Sequence, residues 1–198
     1  MVGSESVARR RSPKRDHLLD TAFRLFYEKG YHAVGIDTIL AEAGVAKMTL
    51  YNHFKSKDEL IIAALERRAN EIGSMKESAM GKAGEDPKRR LSALFDFYHR
   101  WFKTDDFNGC AFIRALGEYT DPASPIHVAA QSVKQSSLRM LEAICRDFKA
   151  KSPKQLAFQI HLLIEGAILY AHTFEQPQAA LKAKAAALSL ADAADKKI

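Results

Sequence analysis

Lys47, Met48, Thr49, Tyr51, Asn52 and His53 lie together in the segment LAEAGVAKMTLYNHF, and each carries a group suited to nucleic acid. A lysine donates to guanine O6 and N7, and a methionine packs on a thymine methyl. Hydroxyl, amide and imidazole groups hydrogen-bond to phosphates and base edges. The apolar residues Ile39, Leu40, Ala43, Val45, Leu50 and Phe54 alternate with them at helical spacing, which turns the two sets to opposite sides. Gly44 permits positive φ and so a sharp turn between two short helices. A short helix with hydrogen-bonding groups outward and a small core behind suits docking in a DNA major groove. The same turn chemistry also fits an ordinary αα-hairpin with a merely solvated polar face.

A second group of candidates lies further along the chain. Glu165 stands within LLIEGAILYA, where a carboxylate is costly to bury without a partner. Either it orients a bound molecule or it pairs with His161, one helical turn back. His161, Glu165 and His172 share a helical face, but the outer two are about 16 Å apart along the axis and cannot bind one ion together. A two-ligand metal site completed from elsewhere is the lesser alternative, and no metal or cofactor is expected. Phe95, Tyr98, His99, Trp101 and Phe102 crowd one helical stretch. Each ring alone reads as core packing. Together with Cys110, Phe112, Glu165 and Leu169 they outline an apolar cavity with a few placed polar groups, the usual form of a small-molecule site. Cys110 as a redox or electrophile sensor competes with the plainer reading of an inert core thiol.

These residues need elements to hold them. The chain has 198 residues, is 47% hydrophobic, and has only 10 glycines and 6 prolines. Helical periodicity dominates, so the expected fold class is all-α. A first helix ends at Gly30, a second short one at Gly44, and a third begins near Lys47. Ser56 and Glu59 form a capping box for a fourth that runs past Ile72. Gly81 to Pro87 is a break. Helices are then expected from Pro87 to about Lys103, from Asn108 through Tyr119, from Pro125 to about Ala150, and from a Ser152-Pro153 cap to Phe174, with an alanine-rich helix last. Net charge is +6 and the sequence pI about 9.3, which suits an anionic partner only weakly. Arg9, Arg10, Arg11, Lys14 and Arg15 lie together without an acidic residue. The expectation is a disordered basic arm over 1–12, with Arg11 and Lys14 as phosphate or minor-groove contacts; a solvated tail reads equally well. Two cysteines without a CxxC and no apolar stretch after the N-terminal basic residues point to a reducing cytoplasm and no signal peptide. The apolar run from Leu156 to Phe174 is interrupted by Gln159, His161, Glu165 and His172 and reads as a buried helix rather than a membrane span.

Over residues 15–68 the sequence resembles the DNA-binding domain of the TetR/AcrR family of regulators. AFRLFYEKGY and ILAEAGVAKMTLYNHFKSKDELI carry the resemblance, with Phe26, Gly30-Tyr31, Ala43-Gly44-Val45, Thr49-Leu50-Tyr51, His53-Phe54, Ser56-Lys57 and Leu60 in the family's spacing. The resemblance implies that Thr49 and Tyr51 touch phosphates and neighbouring bases and that Lys57 holds a backbone phosphate. It puts Lys47 and Met48 at the variable, base-reading start of the recognition helix, and His53 close to the backbone. Val34-Gly35 replace the hydroxyl residue that the family often places before the second helix, so Thr38 or a main-chain N–H is expected to substitute.

The same resemblance implies a helix-turn-helix domain over 13–70 and a helical effector-binding and dimerisation domain over 80–198. FNGCAFIRALGEY and LLIEGAILYA look like one common C-terminal subtype. The residues agree: the helix through Leu163 and Ile164 is apolar nearly all round and must be covered on more than one face. The last helix offers small alanines for close approach. The expectation is a homodimer through the last two helices, bound to palindromic double-stranded operator DNA and released by a small, largely apolar effector. Repression is expected over activation. No GxSxG, P-loop or GxGxxG occurs, so an enzyme is not expected.

Overall fold

The computed structural model describes residues 12–194. Its regular structure is wholly helical: α1 Pro13–Lys29, α2 Ile36–Ala43, α3 Lys47–Tyr51, α4 Lys57–Gly81, α5 Pro87–Trp101, α6 Ala111–Glu118, α7 Pro125–Asp147, α8 Pro153–Phe174 and α9 Ala179–Ala194. The chain divides into two compact units, and the division falls inside α4, between Ala64 and Leu65. No helix of the described residues is long and apolar enough to cross a membrane.

The first unit contains α1, α2, α3 and the first two turns of α4. Leu18, Ala22, Leu25 and Phe26 from α1 meet Ile39, Leu50, Phe54, Leu60 and Ile61, all essentially inaccessible to solvent. Full burial of each large side chain stabilises by roughly 1.5–3 kcal/mol, which lets so short a segment as α3 hold its shape. Phe26 and Tyr31 stack at 5.3 Å and close one side of this core. The α2–α3 turn is a Schellman motif. Gly44 sits at φ 63°, ψ 34°, its N–H donates to the Ala41 carbonyl, and Val45 N–H donates to the Leu40 carbonyl at 3.2 Å. The His17 ring nitrogen Nε2 lies 3.1 Å from the Ala43 carbonyl and ties α1 to the end of α2.

The α4 start is capped much as the sequence suggests. Glu59 N–H donates to Ser56 Oγ at 3.1 Å. The Glu59 carboxylate reaches one residue further back than in the standard box, accepting from Lys55 N–H at 2.8 Å.

The second unit holds the rest of α4 and α5 to α9. Its core joins Leu91, Leu94, Phe95, Leu141, Ile144, Leu156, Ile160 and Ile164 with the alanines of α9. Asp86 caps α5 through a 2.8 Å bond from Arg89 N–H. Ser152, by contrast, makes no capping bond; Pro153 in the first turn, which needs no donor partner, starts α8 instead.

Candidate nucleic-acid interface and cavity

The expected recognition residues fall as follows. Lys47, Met48, Tyr51 and Asn52 are exposed, while Thr49 and His53 are half-buried beside the core residues Leu50 and Phe54. Met48 is 72% exposed, an unusual position for a large apolar side chain. Thr38 on α2 is exposed and Lys57 half-buried at the α4 start. Gly35 precedes α2 without any side-chain cap. Arg11, with the rest of the expected basic arm over 1–11, lies outside the described residues. Ser12 is the N-cap of α1, so Lys14 and Arg15 belong to the helix rather than to an arm. Lys14 is exposed. The Arg15 guanidinium instead lies 5.1 Å from the Phe54 ring centroid, where a cation is attracted to the ring face.

The second unit contains a half-open cavity of about 580 Å³ lined from α4, α5, α6, α7 and α8. Tyr98, Trp101, Cys110, Phe112 and Glu165 line it, as the sequence suggests. Four other expected lining residues do not. Phe95 and Phe102 share the Tyr98 side of the helix but are buried in the core of the second unit. His99 Nδ1–H donates a 2.9 Å hydrogen bond to the Pro177 carbonyl, which fixes the α8–α9 connection. Leu169 is 65% exposed on the outside of α8. Helical phase explains His99 and Leu169, each turned about 100° from the lining residues Tyr98 and Ile168; Phe95 and Phe102 are taken up by core packing instead.

Trp101 packs against the cavity with Tyr98 at 6.2 Å, and its other edge meets Phe107 at 5.0 Å. Phe107 sits beside Phe102 at 5.0 Å and edge-on to His172. The chain turns there at Gly109, φ 75°, where an added Cβ would stand 3.1 Å from the His172 ring. His172 is therefore part of the packing of this turn, remote from the pairing of His161 and Glu165. Among the described residues no three His, Cys, Asp or Glu side chains come together as a metal site.

The charges in the cavity were only partly visible in the sequence. Glu165 pairs with Lys134 of α7 at 2.5 Å, a partner 31 residues away. His161 Nε2 is 3.3 Å from the same Glu165 oxygen, but in a direction that makes no hydrogen bond. Burial lowers the His161 pKa, partly opposed by Glu165, so the ring favours its neutral form. Lys134 Nζ also lies 3.7 Å from Cys110 Sγ.

Lys76 of α4 lines the same space and is only 8% exposed. Its ammonium sits 5.0 Å from the Tyr98 ring centroid. Burial pulls its pKa down to about 8, against the smaller upward pull of Cys110 and Glu165. The Tyr98 phenol is pushed upward by its own burial. Neither Lys76 nor Lys134 was picked out from the sequence, because both stand in polar helical segments that read as solvated faces.

The outside of α8 carries Phe158, Leu162, Leu169, Tyr170 and Phe174, each more than half exposed. Spacings of four and seven residues align Phe158, Leu162 and Leu169 in a single stripe.

Known proteins fit both units. Residues 18–64 match the family "Bacterial regulatory proteins, tetR family", and residues 87–187 match "Tetracyclin repressor-like, C-terminal domain". The chain is 32% identical over 139 residues to the HTH-type transcriptional activator FasR of Mycolicibacterium smegmatis, covering 69% of this chain and 61% of the relative. It is 28% identical to the HTH-type transcriptional repressor DhaR of Mycobacterium sp., covering 70% and 65%. The match thus spans less than two thirds of either relative's own length. Among solved structures, the TetR-family regulator SCO4454 of Streptomyces coelicolor superposes with a TM-score of 0.86 at 29% identity, covering 92% of this chain and 96% of that one. With a helix-turn-helix in one unit, a helical domain in the other, and both family matches in register with them, the chain belongs to the TetR family of DNA-binding transcriptional regulators.

Proposed function

We propose that this regulator is a one-component switch that holds a near-palindromic operator as a homodimer and is released from it when a small, largely apolar molecule enters the cavity of the second unit. The observation that carries the reading is that cavity. At about 580 Å³, lined by aromatic rings with a few buried polar groups, it has the size and make-up of a ligand site.

On the DNA side, Lys47 and Met48 read base edges, while Thr49, Tyr51, Asn52, His53 and Lys57 hold the sugar-phosphate backbone. Thr38, Lys14 and Arg11 add phosphate contacts. A second copy of the chain covers the apolar stripe of α8, and α9 completes the contact. Burying Phe158, Leu162 and Leu169 against their counterparts removes from water a patch that a monomer would leave exposed. Coupling runs through α4, which carries Lys57 in its first turn and lines the cavity from Glu66 to Glu77. A ligand that displaces α4 changes how Lys57 and α3 are presented to DNA. DhaR is named a repressor and FasR an activator, and we infer repression here.

The test is operator selection from random DNA followed by ligand screening with Trp101 fluorescence. A palindromic site with half-sites about one helical turn or slightly more apart, and a ligand that lowers affinity for it about 5- to 150-fold, are expected. Ligands that bind the cavity without altering operator affinity would refute the switch.

A further inference from the structure

The cavity lining holds one buried ammonium without an ion pair. Its ionic groups away from the rim are the half-buried Lys134 and Glu165, which pair with each other, and the buried Lys76, which is left over. Lys76 has no ion pair with any described carboxylate, and its ammonium rests on the Tyr98 ring face. The other groups facing it do not pair with it, and Glu165, committed to Lys134, offsets only a small part of its burial. Burial keeps the Tyr98 phenol and the His161 ring neutral. Glu66 and Glu77 line the same space but are exposed to solvent. Cys110 Sγ lies against Lys134 at 3.7 Å. An aromatic face is a weaker partner for a buried ammonium than a carboxylate. The wall around it is apolar: Tyr98, Trp101, Phe112 and Ile168.

We propose that the molecule seated here is an amphipathic monoanion, an aromatic or aliphatic acid whose carboxylate pairs with the Lys76 ammonium while its apolar body lies against Trp101, Phe112 and Ile168. One excess positive charge matches one carboxylate. A neutral ligand leaves Lys76 uncompensated, a cation repels it, and a dianionic phosphate leaves a negative charge in its place. This refines the largely apolar effector and rests on reading the cavity as the effector site.

Two fluorescent probes that differ by a single anionic group test it on the full-length protein: 1-anilinonaphthalene-8-sulfonate and the uncharged N-phenyl-1-naphthylamine. The charged probe is expected to bind at pH 7 about tenfold or more tighter than the neutral one, with both perturbing Trp101 emission. That preference should decline as pH rises from 7 to 9, because Lys76 loses its proton near pH 8 in the empty cavity. It should vanish in Lys76→Met and persist in Lys76→Arg, with the neutral probe reporting that each variant still forms the cavity. Equal binding of the two probes to the wild-type protein overturns the anion proposal but leaves the effector site standing. If neither probe binds or disturbs Trp101, the effector-site reading falls, and the anion proposal with it.

Discussion

Replacing Lys76 by methionine should stabilise the ligand-free protein. The side chains are similar in length, and methionine fills apolar gaps without needing a partner. Burial lowers the lysine pKa from 10.5 to about 8. At about 1.36 kcal/mol per unit, holding the ammonium in place costs about 3 kcal/mol at neutral pH. The cation–π contact with Tyr98 is worth up to about 2 kcal/mol in a desolvated setting and is lost in the variant. The net expectation is a gain of about 1–2 kcal/mol at pH 7. The pH dependence has a definite sign. Below about pH 8 lysine is charged in both folded and unfolded chains, and the penalty is fully present. Between about 8 and 10.5 the folded protein has released a proton that the unfolded chain still holds, so wild-type stability rises relative to the variant and the gap closes. Urea denaturation at fixed protomer concentration, from pH 7 to 10, measures both quantities. A variant less stable than wild type at pH 7, or a gap that does not narrow with pH, would show that Lys76 is a satisfied structural group rather than an uncompensated charge.

Three further outcomes are expected. Lys57→Ala should weaken binding to every DNA sequence and reduce the salt slope by about one phosphate contact, whereas Lys47→Ala should relax preference at one base position by roughly 1–3 kcal/mol; titrations on specific and random duplexes at several salt concentrations separate the two. Leu169→Asp, placing a charge at the most exposed position of the α8 stripe, should convert dimer to monomer at micromolar concentration by light scattering; an unchanged mass would move the interface elsewhere. Gly44→Ala meets no neighbouring atom within 4 Å, so its cost is purely that of a left-handed backbone at φ 63°, about 1–2 kcal/mol by chemical denaturation.

The helices were legible because their stops are chemical. Gly30 and Gly44 end α1 and α2 at positive φ, and prolines open α5, α7 and α8. Ser56 and Glu59 announce α4 in the same way. The cavity was legible only in part. Glu165 stands out because its neighbours in sequence are apolar, but Lys134, which answers it, is on another helix. Lys76 lies in a stretch of α4 with Ser74, Glu77 and Ser78, where a lysine reads as solvated. It is buried by α5 through Tyr98 and by elements further along the chain, a long-range fact that local pattern does not encode. Phe95 and Phe102 show the reverse error: their ring chemistry suggested the cavity, and long-range packing took them into the core.

The alanines of α9 have a consequence for how this part of the molecule becomes ordered. Ala180, Ala187 and Ala191 are wholly inaccessible, and Ala179 and Ala183 nearly so, along the face turned to α5 and α8. Alanine has no side-chain rotamers to surrender on packing, and it has the highest intrinsic helix propensity. The contact face of α9 therefore docks with almost no loss of side-chain conformational entropy. Longer side chains stand at the edges of the α5–α9 contact, where Lys184 of α9 pairs with Asp96 of α5 and Lys88 of α5 with Asp192 of α9, and these ion pairs remain partly solvated. The seam is held by backbone proximity at its centre and by adjustable charges at its rim.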